Sequence, residues 1–315
     1  CPQGSCFGPL LWNIFQNDQT FSITNCCLSM YADDHQLYSS GLTSEVEKTL
    51  TDQAQAAANW YNRNFLMVNK EKFQALIIKR KGKENEIIDI KVDNENIEQT
   101  SLLKLLGVNI DKYLNFIDHI KHISTKASQK VGVLSRLRNL IPEKAKLQLF
   151  KSSILPHLTY CSLVWHFIRS SDKRKLERIQ EKGLRIVHND HQNSYIHLLT
   201  KAKLPSLYNR RLQDLAILMF KVKYGISPSY ILDLFKHHDS GHNLRNADFV
   251  IPRFKTVTYG KHSIRYLGPH LWKMLPISLK NITDLKQFKH KIRNEDLTKL
   301  DTGQKCATNC YLCNS

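Results

Sequence analysis

No stretch of this chain is apolar for long enough to cross a bilayer. The strongest apolar burst, residues 215–220, falls far short of the roughly 20 residues a membrane helix needs. No secretory signal is recognisable either, so the reading is of a protein with no membrane partner. Acid is scarce: 28 Asp and Glu face 46 Lys and Arg, a formal net charge of +18. That deficit disfavours a basic partner and points to a polyanion, with an acidic membrane surface as the rival. The eight cysteines, Cys1, Cys6, Cys26, Cys27, Cys161, Cys306, Cys310 and Cys313, show none of the spacing of a disulfide framework. A reducing, intracellular compartment fits them better. Disorder is disfavoured too, because 42% of the residues are hydrophobic and fall into helical and strand patterns. At 315 residues the chain can bury a sizeable core in two domains or three smaller units.

What is present centres on Tyr31-Ala32-Asp33-Asp34, between the apolar Cys27-Leu28-Ser29-Met30 and the mixed His35-Gln36-Leu37-Tyr38. This pattern places two adjacent carboxylates at the tip of a β-hairpin. Asp-Asp in a turn is ordinary surface chemistry, since Asp tolerates tight turns. The flanks, however, are too apolar for a plain exposed loop. Neighbouring carboxylates repel, and a divalent metal carrying nucleotide phosphates would offset that repulsion. Upstream, a Pro2/Gly4 turn leads, after Gly8 and Pro9, into a helix bearing Leu10, Leu11, Ile14 and Phe15. Gly4 lets the backbone approach a ligand, and Gln3 offers a donor and an acceptor. A loop before a core helix is the plain alternative.

Pro2-Gln3-Gly4-Ser5, Gly8-Pro9-Leu10-Leu11, Asn13-Ile14-Phe15 and Asn17-Asp18 together resemble motif B of reverse transcriptases from non-LTR retrotransposons, nearest the jockey-like lineage. Tyr31-Ala32-Asp33-Asp34 resembles motif C of the same enzymes, in the same order and after a similarly short gap. The resemblance implies an α+β fold: the C-terminal part of a right-hand polymerase palm, then a helical thumb and a mostly helical extension. It implies an RNA-directed DNA polymerase working on an RNA template, a DNA primer or RNA–DNA duplex and deoxynucleoside triphosphates, in the nucleus and cytoplasm. It also implies two Mg²⁺ ions, with Asp33 as direct ligand and Asp34 as the supporting acid. Gln3, Gly4, Tyr31 and Ala32 would then border the template base and the incoming nucleotide. The family's further metal-binding aspartate, in motif A, and its fingers lie upstream of the Pro-Gln-Gly. The expectation is therefore a fragment that by itself lacks polymerase activity, exposes apolar surface and is marginally stable.

Val46, Leu50, Ala54, Ala57 and Tyr61 recur at helical steps, predicting an amphipathic helix over 44–65 capped by Ser44 or Thr43. Asn69 and Lys72 then match the family's motif D, with Phe73 in place of the usual Thr. The resemblance puts Lys72 near the triphosphate; a solvated turn lysine is the alternative. Residues 81–100 are polar and locally acidic and read as a surface hairpin. Leu106, Gly107 and Val108 fall in a second hairpin that resembles motif E, the primer grip. The alternative is a core strand with a bulge glycine.

Ile120, Ile123, Ala127, Val131, Leu134 and Leu137 predict a helix of about 20 residues. Residues 119–151 hold eight Lys or Arg and one acid, Glu143. Lys126, Lys130, Arg136, Arg138, Lys144 and Lys146 are the candidate phosphate contacts, electrostatic and blind to sequence. A second helix is expected over 142–154, stopped by Pro156, and another over 172–187. Further resemblance to the family's post-thumb region runs to about residue 293 without a defined chemistry. Cys306, Cys310 and Cys313 have spacing that could hold zinc if a residue such as His290 supplied a fourth ligand; metal-free tail cysteines are the plainer reading. The expected divisions are a partial palm over 1–115, a thumb over 116–170, an extension over 171–300 and a Cys-containing tail over 301–315. Two readings outside catalysis stand beside the polymerase: a nucleic-acid-binding remnant or co-opted module, and a structural or protein-interaction domain.

Overall fold

The computed structural model describes residues 4–79, 88–237 and 248–300. The architecture is mixed α+β, and the chain divides into two compact units, Cys1–Leu114 and Asn115–Ser315.

In the first unit Pro9 opens α1 (Gly8–Gln16), where its missing N–H costs nothing. A short α2 (Gln19–Ser22) leads to the hairpin β1 (Cys27–Tyr31) and β2 (Asp34–Tyr38), then to α3 (Thr43–Arg63). The residue before α3 is Leu42, and no side chain caps the helix, so neither Ser44 nor Thr43 plays the expected role. The face expected to be buried on α3 is only half-buried; Gln53, Ala58 and Trp60 are its buried residues. Gln53 instead accepts from the backbone N–H of Thr24 at 2.9 Å and Asn25 at 3.4 Å, fixing the approach to β1.

A 3-10 turn (Lys70–Lys72) precedes β3 (Gln74–Leu76). There follow β4 (Lys91–Val92), β5 (Glu95–Asn96), β6 (Glu98–Thr100), β7 (Leu102–Leu105) and β8 (Val108–Asp111). The described strands form four separate ladders: β1–β2, β4–β5 and β7–β8 antiparallel, β3–β6 parallel. The palm that the resemblance implies carries an antiparallel sheet backed by helices; three of these described ladders are antiparallel and β3–β6 is parallel. With no described strand longer than five residues, each ladder depends on side-chain packing to persist. Ala75, Ile88 and Ile90 supply part of that packing, with Leu50, Ile77 and Ile97 against them. By contrast, Leu10, Leu11 and Ile14 on α1 are 56, 51 and 63% exposed, so the apolar face of that helix is open.

The second unit is helical: α4 (Ile117–Arg136), α5 (Glu143–Leu149), α6 (Leu155–Thr159), α7 (Ser170–His188), α8 (Tyr195–Ala202) and α9 (Leu207–Lys223), then α10 (Ser229–Leu232), α11 (Ile264–Met274), α12 (Ile277–Lys280) and α13 (Leu285–Ile292). Pro156 does not stop the second helix of this series. A wide π turn, Phe150–Ile154, joins α5 to α6, and Pro156 sits in the first turn of α6, where it has no amide bond to forfeit. Residues 116–170 and 171–300, read separately from the sequence, share this one unit: α4 packs along α7, and α6 against α9. Its main apolar cluster gathers Leu215, Met219 and Phe220 of α9, Trp272 of α11 and Phe288 of α13. Asn209 and Gln213 of α9 donate to the Glu295 carbonyl, and Asn209 accepts from Leu297 N, tying the segment after α13 to the cluster. Among the described residues no helix is long and apolar enough to cross a membrane.

Candidate active site

β1 and β2 pair in register from Cys27↔Tyr38 to Tyr31↔Asp34. Ala32 and Asp33 are therefore the two turn residues, and the Asp33 and Asp34 side chains belong to exposed residues. The turn requires Ala32 to adopt φ 53°, the left-handed region, which costs an L-residue about 1–2 kcal/mol. Its carbonyl is held from behind. Trp12 Nε1 donates to it at 3.0 Å and Gln16 Nε2 at 2.9 Å, from positions four apart on one face of α1.

The grip continues inward. His35 Nε2 lies 2.9 Å from Gln16 Oε1, and the Tyr61 hydroxyl lies 2.5 Å from His35 Nδ1. Trp60, beside Tyr61 on α3, meets the Phe15 ring at 5.5 Å and donates to Asp18 Oδ1 at 3.1 Å. Three elements thus converge behind the acidic turn. Burial lowers the His35 pKa below its ordinary value, against an opposing pull from the Ala32 carbonyl and from Asp33 and Asp34. Burial raises that of Tyr61. Near neutral pH His35 is accordingly an uncharged imidazole and Tyr61 an intact phenol.

Asp33 and Asp34 offer hard carboxylate oxygens of the kind Mg²⁺ prefers. Among the described residues, no group of three or more His, Cys, Asp or Glu gathers to hold a metal ion. Among the described residues the pair therefore supplies one edge of a metal site.

The other sequence-predicted residues sit elsewhere. Gln3, Cys306, Cys310 and Cys313 lie outside the described residues. Gly4 has φ 88°, which explains the glycine, yet among the described residues beyond its chain neighbours none comes within 4 Å of where a Cβ would stand. Lys72 is exposed in its 3-10 turn, whose Asn69 side chain accepts from Glu71 N. Leu106 and Gly107, at φ 43° and 84°, make the two-residue turn between β7 and β8, and Val108 is buried beside it. Lys126, Lys130, Arg136, Arg138 and Lys144 are exposed. Lys146 is not: it is buried, and its ammonium donates to the Arg138 carbonyl at 3.2 Å. That side chain is committed to the fold.

Trp12, Gln16, His35 and Tyr61 did not emerge from the sequence as site residues. One signal was available: Gln16 is a polar residue ending the helix that bears Leu11 and Phe15.

Charge is divided unevenly between the units. Residues 1–114 carry 11 Lys and Arg against 14 Asp and Glu, while residues 115–315 carry 35 against 14. Several acids of the second unit are turned to internal use. Glu177 accepts from Tyr195 Oη and from the N–H of Leu207 and Tyr208 at the start of α9. Glu143 meets His188 and Lys201, Glu181 meets Arg185, Asp214 meets Arg293, and Asp248 meets Lys223 and Trp272.

Residues 1–110 match the family model for reverse transcriptase (RNA-dependent DNA polymerase). The chain is 27% identical over 176 residues to the retrovirus-related Pol polyprotein of a type-1 retrotransposable element from Nasonia vitripennis, covering 53% of this chain and 43% of that protein. Two Drosophila melanogaster proteins are also 27% identical. They are the probable RNA-directed DNA polymerase from transposon BS, over 59% of this chain and 22% of its own length, and the RNA-directed DNA polymerase from mobile element jockey, over 58% and 21%. The chain spans less than half the length of these relatives. No solved structure matches it significantly. Residues 1–110 are thus similar to the reverse transcriptase domain, and just over half of the chain is similar, at low identity, to Pol proteins of non-LTR retrotransposons.

Proposed function

We propose that this chain is the palm-and-thumb portion of a retrotransposon RNA-directed DNA polymerase acting in the nucleus and cytoplasm. In this reading Asp33 and Asp34 are metal-binding acids that serve the primer 3′ end. The observation that carries it is the exposed hairpin turn presenting both acids, braced by α1, inside the stretch that matches the reverse transcriptase family. Bound Mg²⁺ would activate the primer hydroxyl and neutralise the leaving pyrophosphate. The chain's own residues do the positioning. Asp33 and Asp34 hold the ion, and Gln3, Gly4, Tyr31 and Ala32 border the template base and the incoming deoxynucleoside triphosphate. Lys72 offers a positive charge to the phosphates, and Leu106, Gly107 and Val108 steady the primer. Lys126, Lys130, Arg136, Arg138 and Lys144 face the backbone of an RNA–DNA duplex.

A second reading, nucleic-acid binding without catalysis by this chain alone, is favoured by the surplus of cations in the second unit, 35 Lys and Arg against 14 Asp and Glu. One experiment addresses both. The purified chain is mixed with an RNA template annealed to a DNA primer, deoxynucleoside triphosphates and Mg²⁺. The expected result is salt-sensitive duplex binding without extension. Primer extension that survives Asp33→Ala with Asp34→Ala would overturn the assignment of the acids. No affinity for the duplex at low salt would overturn the nucleic-acid reading altogether.

A further inference from the structure

The hydrogen bonds behind the acidic turn have a direction. Gln16 gives an amide proton to the Ala32 carbonyl, which leaves Gln16 Oε1 as an acceptor. His35 Nε2, 2.9 Å away, must therefore carry a proton. On the other side of the ring, Nδ1 accepts the hydrogen bond that the Tyr61 hydroxyl donates at 2.5 Å. The sequence of donors runs Tyr61, His35, Gln16 and ends on the carbonyl of Ala32, the residue immediately before Asp33.

Each link answers a need. Ala32 is in a strained conformation that persists only if its surroundings over-determine it. A glutamine amide can present either its oxygen or its nitrogen, and only the nitrogen can hold a carbonyl. His35 makes that choice, because a proton on Nε2 requires an oxygen opposite. Tyr61 in turn selects the His35 tautomer. Gln16 is 3% exposed and cannot borrow a water freely.

We propose that His35, fixed as its Nε2–H tautomer by Tyr61, is a positioning residue that orients Gln16 onto the Ala32 carbonyl and so sets the attitude of the Asp33–Asp34 turn. Its role toward a metal ion rests on the reading of Asp33 and Asp34 given above. Residues outside a ligand shell that orient the ligands typically change metal affinity 10- to 100-fold when removed.

Two measurements on the full chain test this. Long-range ¹H–¹⁵N spectra of histidine-labelled protein near neutral pH should show His35 with Nδ1 unprotonated and Nε2 protonated. Tyr61→Phe should mix the two tautomers and shift the Ala32 carbonyl carbon, three links away. A wild-type His35 in the Nδ1–H form, or an Ala32 signal unmoved in Tyr61→Phe, overturns the proposal regardless of any metal. The second measurement is Mn²⁺ affinity by electron paramagnetic resonance, restricted to the ion lost on Asp33→Ala. His35→Ala should weaken it about tenfold. His35→Gln, which can still present an N–H to Gln16, should restore it to within about twofold. Equal affinities for wild type and His35→Ala overturn the positioning role. If no Mn²⁺ is lost on Asp33→Ala, the metal reading fails while the tautomer result still decides the orientation of the turn.

Discussion

Ala32 is the residue on which the geometry of the acidic turn depends. Its φ of 53° is a penalty paid by every side chain except glycine. Replacing it by glycine removes that penalty of about 1–2 kcal/mol while loosening the unfolded chain by roughly 0.5–1 kcal/mol. Ala32→Gly should therefore raise stability by about 0.5–1 kcal/mol, seen as a higher urea midpoint with an unchanged slope. A lower midpoint would mean that the methyl group does packing that its exposure does not reveal. At this scale the sequence exposed the acids and hid their support. Asp33 and Asp34 stood out because a hairpin tip is local, bounded by strands of a few residues. Trp12, Gln16 and Tyr61 reach the turn from 16 to 26 residues away along the chain, and no spacing rule covers such contacts.

Among elements, α7 shows why helical periodicity locates a helix better than it explains its neighbours. Leu176, Ile179, Leu184 and Val187 are its apolar positions in the sequence; Leu176, Leu184 and Val187 are buried and Ile179 is half-buried. Gly183, among them, looks like a weak point in a helix, where alanine would ordinarily be better by about 1 kcal/mol. It is a packing requirement: a Cβ there would run into the ring of the buried Phe150, in the π turn between α5 and α6. Gly183→Ala should therefore lower stability by about 1–3 kcal/mol, the usual cost of overpacking, measured by thermal or urea unfolding. A gain instead would show that Phe150 has room to turn aside. The same π turn accounts for the misjudged end at Pro156. A proline warns of a break only where the preceding turn is regular, and the widening of that turn is decided by tertiary packing. The separate short ladders of the first unit were likewise beyond reach, since alternation marks strands but not which of them pair.

For the whole molecule, the charge division says which unit would meet the nucleic acid of the proposed function. Net charge was plain from composition, but its location was not. The first unit is slightly acidic, and the surplus of cations belongs entirely to the second. There, acids that would have screened it are spent on helix starts and internal ion pairs. Each phosphate contact releases condensed counterions, so the logarithm of duplex affinity should fall with the logarithm of salt by about 0.9 per contact for B-form DNA. Lys126 and Lys130, one turn apart and exposed on α4, are expected to contribute two such contacts. Lys126→Ala with Lys130→Ala should flatten the slope by about 2 and weaken binding equally for unrelated sequences. Lys146→Met is the internal control. That lysine is buried on the Arg138 carbonyl, so its loss should cost stability and leave the slope unchanged. The reverse pattern, with Lys146 governing the slope and the α4 pair inert, would place the nucleic acid on a different face of this unit.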